Sequence, residues 1–164
     1  MDKKIIFLGS SGAFQIPSFH CTCANCELAR KNPKLRRTRA SIAVIGDEIT
    51  IVDISPDIAL QLEREKIRKI DNILITHWHF DHIYSLCELH ETSIQGKFAP
   101  FKIYIHEGLV GLLKRTYYWM EKSFEIIPVK PHNIFTIDNT AVEIVKTNHT
   151  DTSIGFVFNT KESF

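Results

Sequence analysis

Ile73-Leu74-Ile75-Thr76-His77-Trp78-His79-Phe80-Asp81-His82 is the stretch that decides how this chain folds. Three β-compatible apolar residues read as a short buried strand, and the chain passes from it straight into three histidines and an aspartate. Imidazole and carboxylate are the ligands that borderline divalent metals such as Zn²⁺ prefer. In an extended chain, residues two apart point to the same side, so His77 and His79 can reach one ion while Trp78 and Phe80 turn back to anchor the loop in the core. A helix starting at Asp81 would project Asp81 and His82 toward a neighbouring point. Four ligands in six residues therefore suit two adjacent metal positions better than one closed tetrahedron. The bland alternative is a surface loop that happens to be rich in histidine. Against it stands the location, at the C-terminal end of a buried strand, where α/β sheets host their sites.

Toward the N-terminus, Lys4 to Leu8 reads as a strand closed by the turn Gly9-Ser10-Ser11-Gly12. A long loop with Pro17 and three cysteines follows, then a short helix from Cys26 to Lys31, stopped ahead of Pro33. Ser41 to Ile45 and Ile49 to Ile54 form a hairpin about Gly46-Asp47-Glu48, and Ser55-Pro56 leads into a helix from Asp57 to Arg68. Beyond the histidines, residues 81–91 read as helix and Ile103 to Ile105 as strand, with helix again to about Met120. Strands follow at Phe124 to Ile127, Ile134 to Ile137, Ala141 to Lys146 and Ile154 to Phe158. Strands alternate with helices and then come as hairpins, which predicts an α/β (α+β) sandwich with a mixed sheet in a single domain over residues 1–164.

The 164 residues are 44% hydrophobic and 24% charged, ordinary for a folded domain. With 20 Lys and Arg against 19 Asp and Glu, bulk charge gives no argument for nucleic acid or an anionic membrane, though it leaves nucleic acid open. The apolar run Ile5 to Leu8 is too short for a signal peptide or membrane span, so the expected compartment is the cytoplasm. In a reducing compartment, Cys21, Cys23 and Cys26 more readily hold a metal than a disulfide network.

The His-x-His-x-Asp-His pattern after a short apolar strand resembles the signature of the metallo-β-lactamase superfamily. That resemblance implies an αββα sandwich. Ile51-Val52-Asp53-Ile54-Ser55-Pro56-Asp57 is similar to the family's strand ending in an aspartate, and Asn148-His149-Thr150 to the motif supplying a third histidine. The resemblance implies that His77, His79 and His149 hold one divalent ion and that Asp81 and His82 hold a second, the ions being zinc or manganese. It also implies that Asp53 braces the metal loop by hydrogen bonds.

The N-terminal third, with Leu8-Gly9-Ser10-Ser11-Gly12-Ala13, Cys21-Thr22-Cys23-Ala24-Asn25-Cys26 and Arg36-Arg37-Thr38-Arg39-Ala40-Ser41, resembles the cyclic phosphodiesterase branch of phosphonate breakdown and, more distantly, the tRNA 3′-end ribonucleases. In that branch a Cys-x-Cys-x-x-Cys cluster holds a structural zinc, which here would fall to Cys21, Cys23 and Cys26. The plain alternative is three reduced thiols in a loop: three ligands do not close a tetrahedron, His20 is awkwardly placed, and the branch's late histidine has no counterpart before Phe164. Arg36, Arg37 and Arg39 could meet substrate phosphate through bidentate guanidinium contacts, or merely solvate a turn. Cys87 reads as a core residue on its helix. His90, His106 and His132 read as surface or satisfied structural residues, with His106, at a strand end, the exception to watch.

The resemblance implies a metallo-hydrolase acting on a small phosphodiester, with Asp81 orienting the nucleophile. It also calls for a bridging aspartate after His149 and a late histidine. Asp151 stands too close behind His149 to bridge, and the expectation is a domain whose C-terminal part is missing, along with sheet partners for Ile154 to Phe158. Another chain or a homodimer would then complete it. The alternatives are a thioester or lactam hydrolase of the same superfamily and a non-catalytic metal-binding fragment needing a partner chain.

Overall fold

Six strands form one mixed sheet in sequence order: β1 (Lys4–Gly9), β2 (Ser41–Ile45), β3 (Ile49–Val52), β4 (Asn72–Leu74), β5 (Phe101–His106) and β6 (Phe124–Val129). The computed structural model describes residues 3–96, 100–120, 122–149 and 152–159. β1, β2 and β3 pair antiparallel, and β3 through β6 run parallel. Each parallel step needs a crossover, supplied by α2 (Ile58–Arg64), by α3 (Phe80–Ile83) with α4 (Leu86–Gly96), and by α5 (Val110–Thr116), while α1 (Ala24–Lys31) lies in the cysteine segment. A second sheet holds β7 (Ile134–Ile137), β8 (Thr140–Lys146) and β9 (Ile154–Asn159), all antiparallel.

Side-chain alternation assigns the two faces of the six-stranded sheet. Ile51, Ile73 and Ile103 lie in one cross-strand row, are fully buried, and pack under Ile58, Leu86, Leu89 and Leu113 of the helices. Truncating any of them to alanine would cost about 2–5 kcal/mol. The neighbouring row, Val52, Leu74 and Tyr104, faces the opposite way onto Ile137, Val142, Ile144 and Ile154 of the second sheet. Helices, sheet and sheet thus stack as layers, each strand serving two cores through its period of two.

Every sequence-read strand is present within a residue or two. The helix expected over 81–91 divides into α3 and α4. The cause lies in the β3–α2 connection: the Ile54 N–H donates to the His82 carbonyl (2.7 Å) and the Ile54 carbonyl accepts from Ser85 N–H (3.4 Å), so residue 54 interrupts the helical ladder. Cys87 is exposed on α4, correcting its reading as core. β9 finds a full partner in β8, so the expectation that it would lack one fails on that side.

At the far end of the layers, Asp138 ties the sheets together. Asp138 and Asn139 form the β7–β8 turn with φ of 47° and 59°, the left-handed pair a two-residue hairpin needs. The Asp138 carboxylate accepts from Lys3 Nζ (2.7 Å) and from the Asp47 backbone N–H (3.0 Å) in the β2–β3 turn. Gly46 is required there by proximity, since a Cβ would stand 2.0 Å from Asp138 Oδ2.

Candidate metal centre

The site grows from the end of β4. Ile75 continues the strand, donating to the Tyr104 carbonyl (2.9 Å); the chain bends at Trp78 and is extended again at His79, whose φ and ψ are −66° and 147°. α3 begins at Phe80, which brings Asp81 and His82 round to the same end of the sheet. Trp78 turns into the helix-side core beside Tyr117. Phe80 does not: its ring is 48% exposed, and the Arg39 guanidinium lies 5.6 Å from its centroid. The first helical residue no longer follows strand alternation, so it leaves the face that buries Trp78.

One buried carboxylate organises the loop. Asp53, at the end of β3 with φ 63°, accepts from the Thr76 N–H (2.9 Å), from Thr76 Oγ1 (2.9 and 3.0 Å) and from His82 Nδ1 (2.7 Å). Because the Thr76 hydroxyl spends its proton on Asp53, it can only accept from His77 Nδ1, 2.8 Å away. The tautomers follow: His77 and His82 each carry a proton on Nδ1 and present Nε2. His77 Nε2 then lies 3.2 Å from His79 Nδ1, and His82 Nε2 lies 3.3 Å from Asp81 Oδ2.

His149 arrives from the loop after β8. Its ring centroid stands 4.6 Å from that of His77 and 4.8 Å from that of His79, and the ligand atoms of the three lie within 4.8 Å of one another. Burial, then the charges of His82, His149 and His79, push the His77 pKa down to about 4 against the pull of Asp53, so His77 is neutral at pH 7. Burial also acts to lower His82, but the hydrogen bond to Asp53 and the charges of Asp53 and Asp81 outweigh it and leave its pKa raised. Three converging imidazoles with an acceptor nitrogen aimed inward form a donor set that could hold a metal ion. Asp81 and His82 form an adjacent pair, with the His82 ring 4.1 Å from that of His77. Asp151 and Thr150 lie outside the described residues.

The other sequence-read residues fall elsewhere. Cys21, Cys23 and Cys26 bring their sulfurs within 4.8 Å of one another at the start of α1, as a second, separate group. Hydrogen bonding from the Cys26 backbone N–H lowers the Cys23 thiol pKa, whereas that of Cys21 is raised, its backbone hydrogen bond from Cys23 outweighed by the side-chain hydrogen bonds with Cys23 and Cys26. His20 is turned to Ser18 Oγ (3.1 Å) and to the rings of Phe14 and Phe19. Arg39 is committed to Asp57 (3.0 and 3.1 Å) and the Ala13 carbonyl (2.9 Å), and Arg37 to Ser10 Oγ (3.1 Å). His90 is buried and satisfied by Ser123 Oγ (2.7 Å), while His106 Nδ1 accepts from Gly108 N–H (3.1 Å) and caps a turn. What sequence reasoning missed at the centre is Thr76, the relay between Asp53 and His77. Its signal was available in the hydroxyl sitting between strand and first histidine.

A family model described as Anti-Pycsar protein Apyc1 matches residues 40–164. The chain belongs to that family. Its fold is that of the metallo-β-lactamase superfamily. It superposes with a TM-score of 0.82 on a diphosphatase from the PhnP family, at 29% identity over 96% of this chain and 62% of that one. It superposes at 0.81 on zinc-bound PqqB from Methylobacterium extorquens, at 20% identity over 96% and 62% of the two chains. The metallo-β-lactamase fold protein YhfI from Bacillus subtilis follows at 0.74, with 18% identity over 96% and 58%. Among curated proteins, an octanoyltransferase from Porphyromonas gingivalis is 28% identical over 89% of this chain and 31% of its own length. A coenzyme PQQ synthesis protein B from Rhodopseudomonas palustris is 25% identical over 78% and 44%. The chain thus spans less than half the length of these curated relatives. Among the described residues no helix is long and apolar enough to cross a membrane.

Proposed function

We propose that the chain carries the metal centre of a phosphodiesterase acting on small phosphodiesters. The observation that carries this reading is the convergence of His77 Nε2 and His79 Nδ1 with His149, beside the Asp81–His82 pair and braced by one carboxylate. His77, His79 and His149 would hold one divalent ion, zinc or manganese, and Asp81 with His82 a second. Such ions, when bound, bring the pKa of a water toward neutrality and neutralise charge on a phosphodiester's non-bridging oxygens. Asp53 and Thr76 fix which histidine nitrogens face inward, and Asp81, buried beside His82, accepts the proton of the attacking water. The likeness to a PhnP-family diphosphatase at 29% identity supports hydrolysis at phosphorus over thioester or lactam chemistry. The cysteine trio would hold a structural zinc, pinning a segment that contributes no catalytic group.

The test is Asp81→Ala assayed on bis-p-nitrophenyl phosphate, a cyclic phosphodiester and nitrocefin. Phosphodiester turnover by the parent chain, lost in a folded variant, is the expected result; nitrocefin turnover alone, or an unimpaired variant, sinks the reading. One observation favours a second reading. Among the described residues no group of three donors forms around Asp81 and His82. A metal-binding module completed by a partner chain would give one active-site metal per chain and no ester hydrolysis in isolation.

A further inference from the structure

A second concave site lies at the end of β1, at the same end of the sheet as the metal loop but three strands away from β4, and none of the metal-centre residues lines it. It is a groove of about 280 Å³ between Gly9 and Ser10, the segment 34–38, and Arg64 at the end of α2. Four of its lining residues, Lys34, Arg36, Arg37 and Arg64, are cationic, and none is a carboxylate. The chain as a whole is nearly neutral, with 20 cations against 19 anions, so this concentration does not follow from bulk charge. Bringing like charges together costs free energy unless a ligand offsets it. Only Arg64 has a carboxylate partner among the described residues, Glu65 at 2.7 Å.

The arginines are also held in place by neutral acceptors. Arg64 Nη2 donates to the Leu8 carbonyl (2.7 Å), Arg37 Nη1 to Ser10 Oγ (3.1 Å) and Arg36 Nε to the Ala29 carbonyl (3.3 Å). Each guanidinium has five N–H donors, so these anchors leave donors over and reduce the ordering that binding would require. The groove wall depends on one close backbone approach. A Cβ on Gly9 would stand 1.9 Å from the Arg39 carbonyl and 2.7 Å from Thr38 Oγ1, so only glycine lets β1 end this close to the arginine segment. Phe7, 70% exposed on the edge strand, supplies one apolar wall.

We propose that this groove is a binding site for a phosphate-bearing anion of two or more charges, distinct from the metal centre. Guanidinium groups match phosphate oxygens through paired N–H bonds, and the Ser10 hydroxyl, which only accepts from Arg37, keeps its own proton to donate within the same wall. The proposal does not rest on the phosphodiesterase reading. Arg39, one residue beyond the groove wall, turns instead to Asp57 and to Phe80 at the metal loop, and lines neither the groove nor the histidine cluster.

The experiment is calorimetric titration of the full chain with inorganic pyrophosphate at near-physiological salt. Parallel titrations use Arg37→Ala, the double variant Arg37→Ala/Arg64→Ala, and His77→Ala, which removes a metal-centre residue. Saturable binding is expected, weakened about tenfold in the exposed Arg37→Ala variant and further in the double variant, with His77→Ala unchanged. Using Arg37→Ala alone protects the result should loss of the Arg64–Leu8 bond unfold the double variant. Binding lost in His77→Ala but intact in Arg37→Ala would move the anion to the metal centre and overturn the proposal. Absence of saturable binding, or equal competition by sulfate, would overturn it as well. Repeating the titration with adenosine diphosphate identifies the ligand's other half: tighter binding that Phe7→Ala abolishes means a base stacked on Phe7, and equal binding means the phosphates alone.

Discussion

Replacing Asp53 by asparagine tests the organisation of the metal loop at its root. The carboxylate receives a backbone N–H from Thr76, the Thr76 hydroxyl and His82 Nδ1. An amide keeps one acceptor oxygen, and the backbone N–H of Thr76 cannot reverse its polarity, so that oxygen must stay on the Thr76 side. The amide nitrogen then faces His82 Nδ1 at the present 2.7 Å. Two donors cannot meet, so His82 must move its proton to Nε2, the atom 3.3 Å from Asp81. Nε2 thereby loses the lone pair a metal would need. Asparagine tolerates the φ of 63° at this position, so the fold survives. Exchanging charge-assisted for neutral hydrogen bonds should cost about 1–2 kcal/mol of stability. Loss of an outer-shell carboxylate typically weakens metal affinity about 10- to 100-fold, or about 1.4 to 3 kcal/mol. The effect should fall on the ion at Asp81 and His82, with a smaller one at His77, His79 and His149 through Thr76. Competition with a chromophoric chelator reads the two affinities, and nitrogen-detected NMR of the imidazoles reads the tautomer. An Asp53→Asn variant that binds both ions as tightly as the parent, with His82 still protonated at Nδ1, would refute the reasoning.

The metal-free protein should be acid-sensitive through His77. Its folded pKa of about 4 lies below the ordinary 6.5, so its share of stability is complete above pH 6.5 and is lost as pH falls toward 4. That share is roughly 3 kcal/mol at full titration, and His82, whose pKa is raised, works with the opposite sign. Denaturant unfolding in EDTA should therefore show the parent losing stability relative to His77→Gln across that window; a constant difference would count against it. Asp138 should behave as an inter-sheet tie, because the hydrogen bond from Lys3, against some desolvation, lowers its pKa. Its contribution is present above the unfolded carboxylate value and lost as pH falls through the folded one, so the melting-temperature gap between parent and Asp138→Asn should close below about pH 4. A gap that does not narrow at all as pH falls from about 4 would mean that the carboxylate charge is not what joins Lys3 to the turn.

Strand periods and the clustering of the loop histidines were legible in the sequence because both are local. Ile73 to Ile75 announce a buried strand through their own composition, and the close spacing of His77 and His79 brings them to one strand end even though the chain bends at Trp78 between them. Asp53 was reachable only through family resemblance, since nothing within a few residues of it says that Thr76 and His82 will come to it. The same limit explains the errors. Cys87 fits a helix pattern, but which face of α4 is buried depends on where α2 and α5 pack, and the break between α3 and α4 is made by the backbone of residue 54, nearly thirty positions upstream. The cationic groove shows the limit most clearly. Arg36 and Arg37 alone read equally well as a solvated turn, and the shared groove with Arg64 is visible only once α2 sets that residue beside them. The residue that joins the cluster comes from a helix whose charges, read along the chain, are those of any exposed face. A site built by long-range approach leaves no periodic trace in sequence. The centre built around one strand end leaves a strong one, which is why the histidines could be read and their bracing could only be seen in the fold.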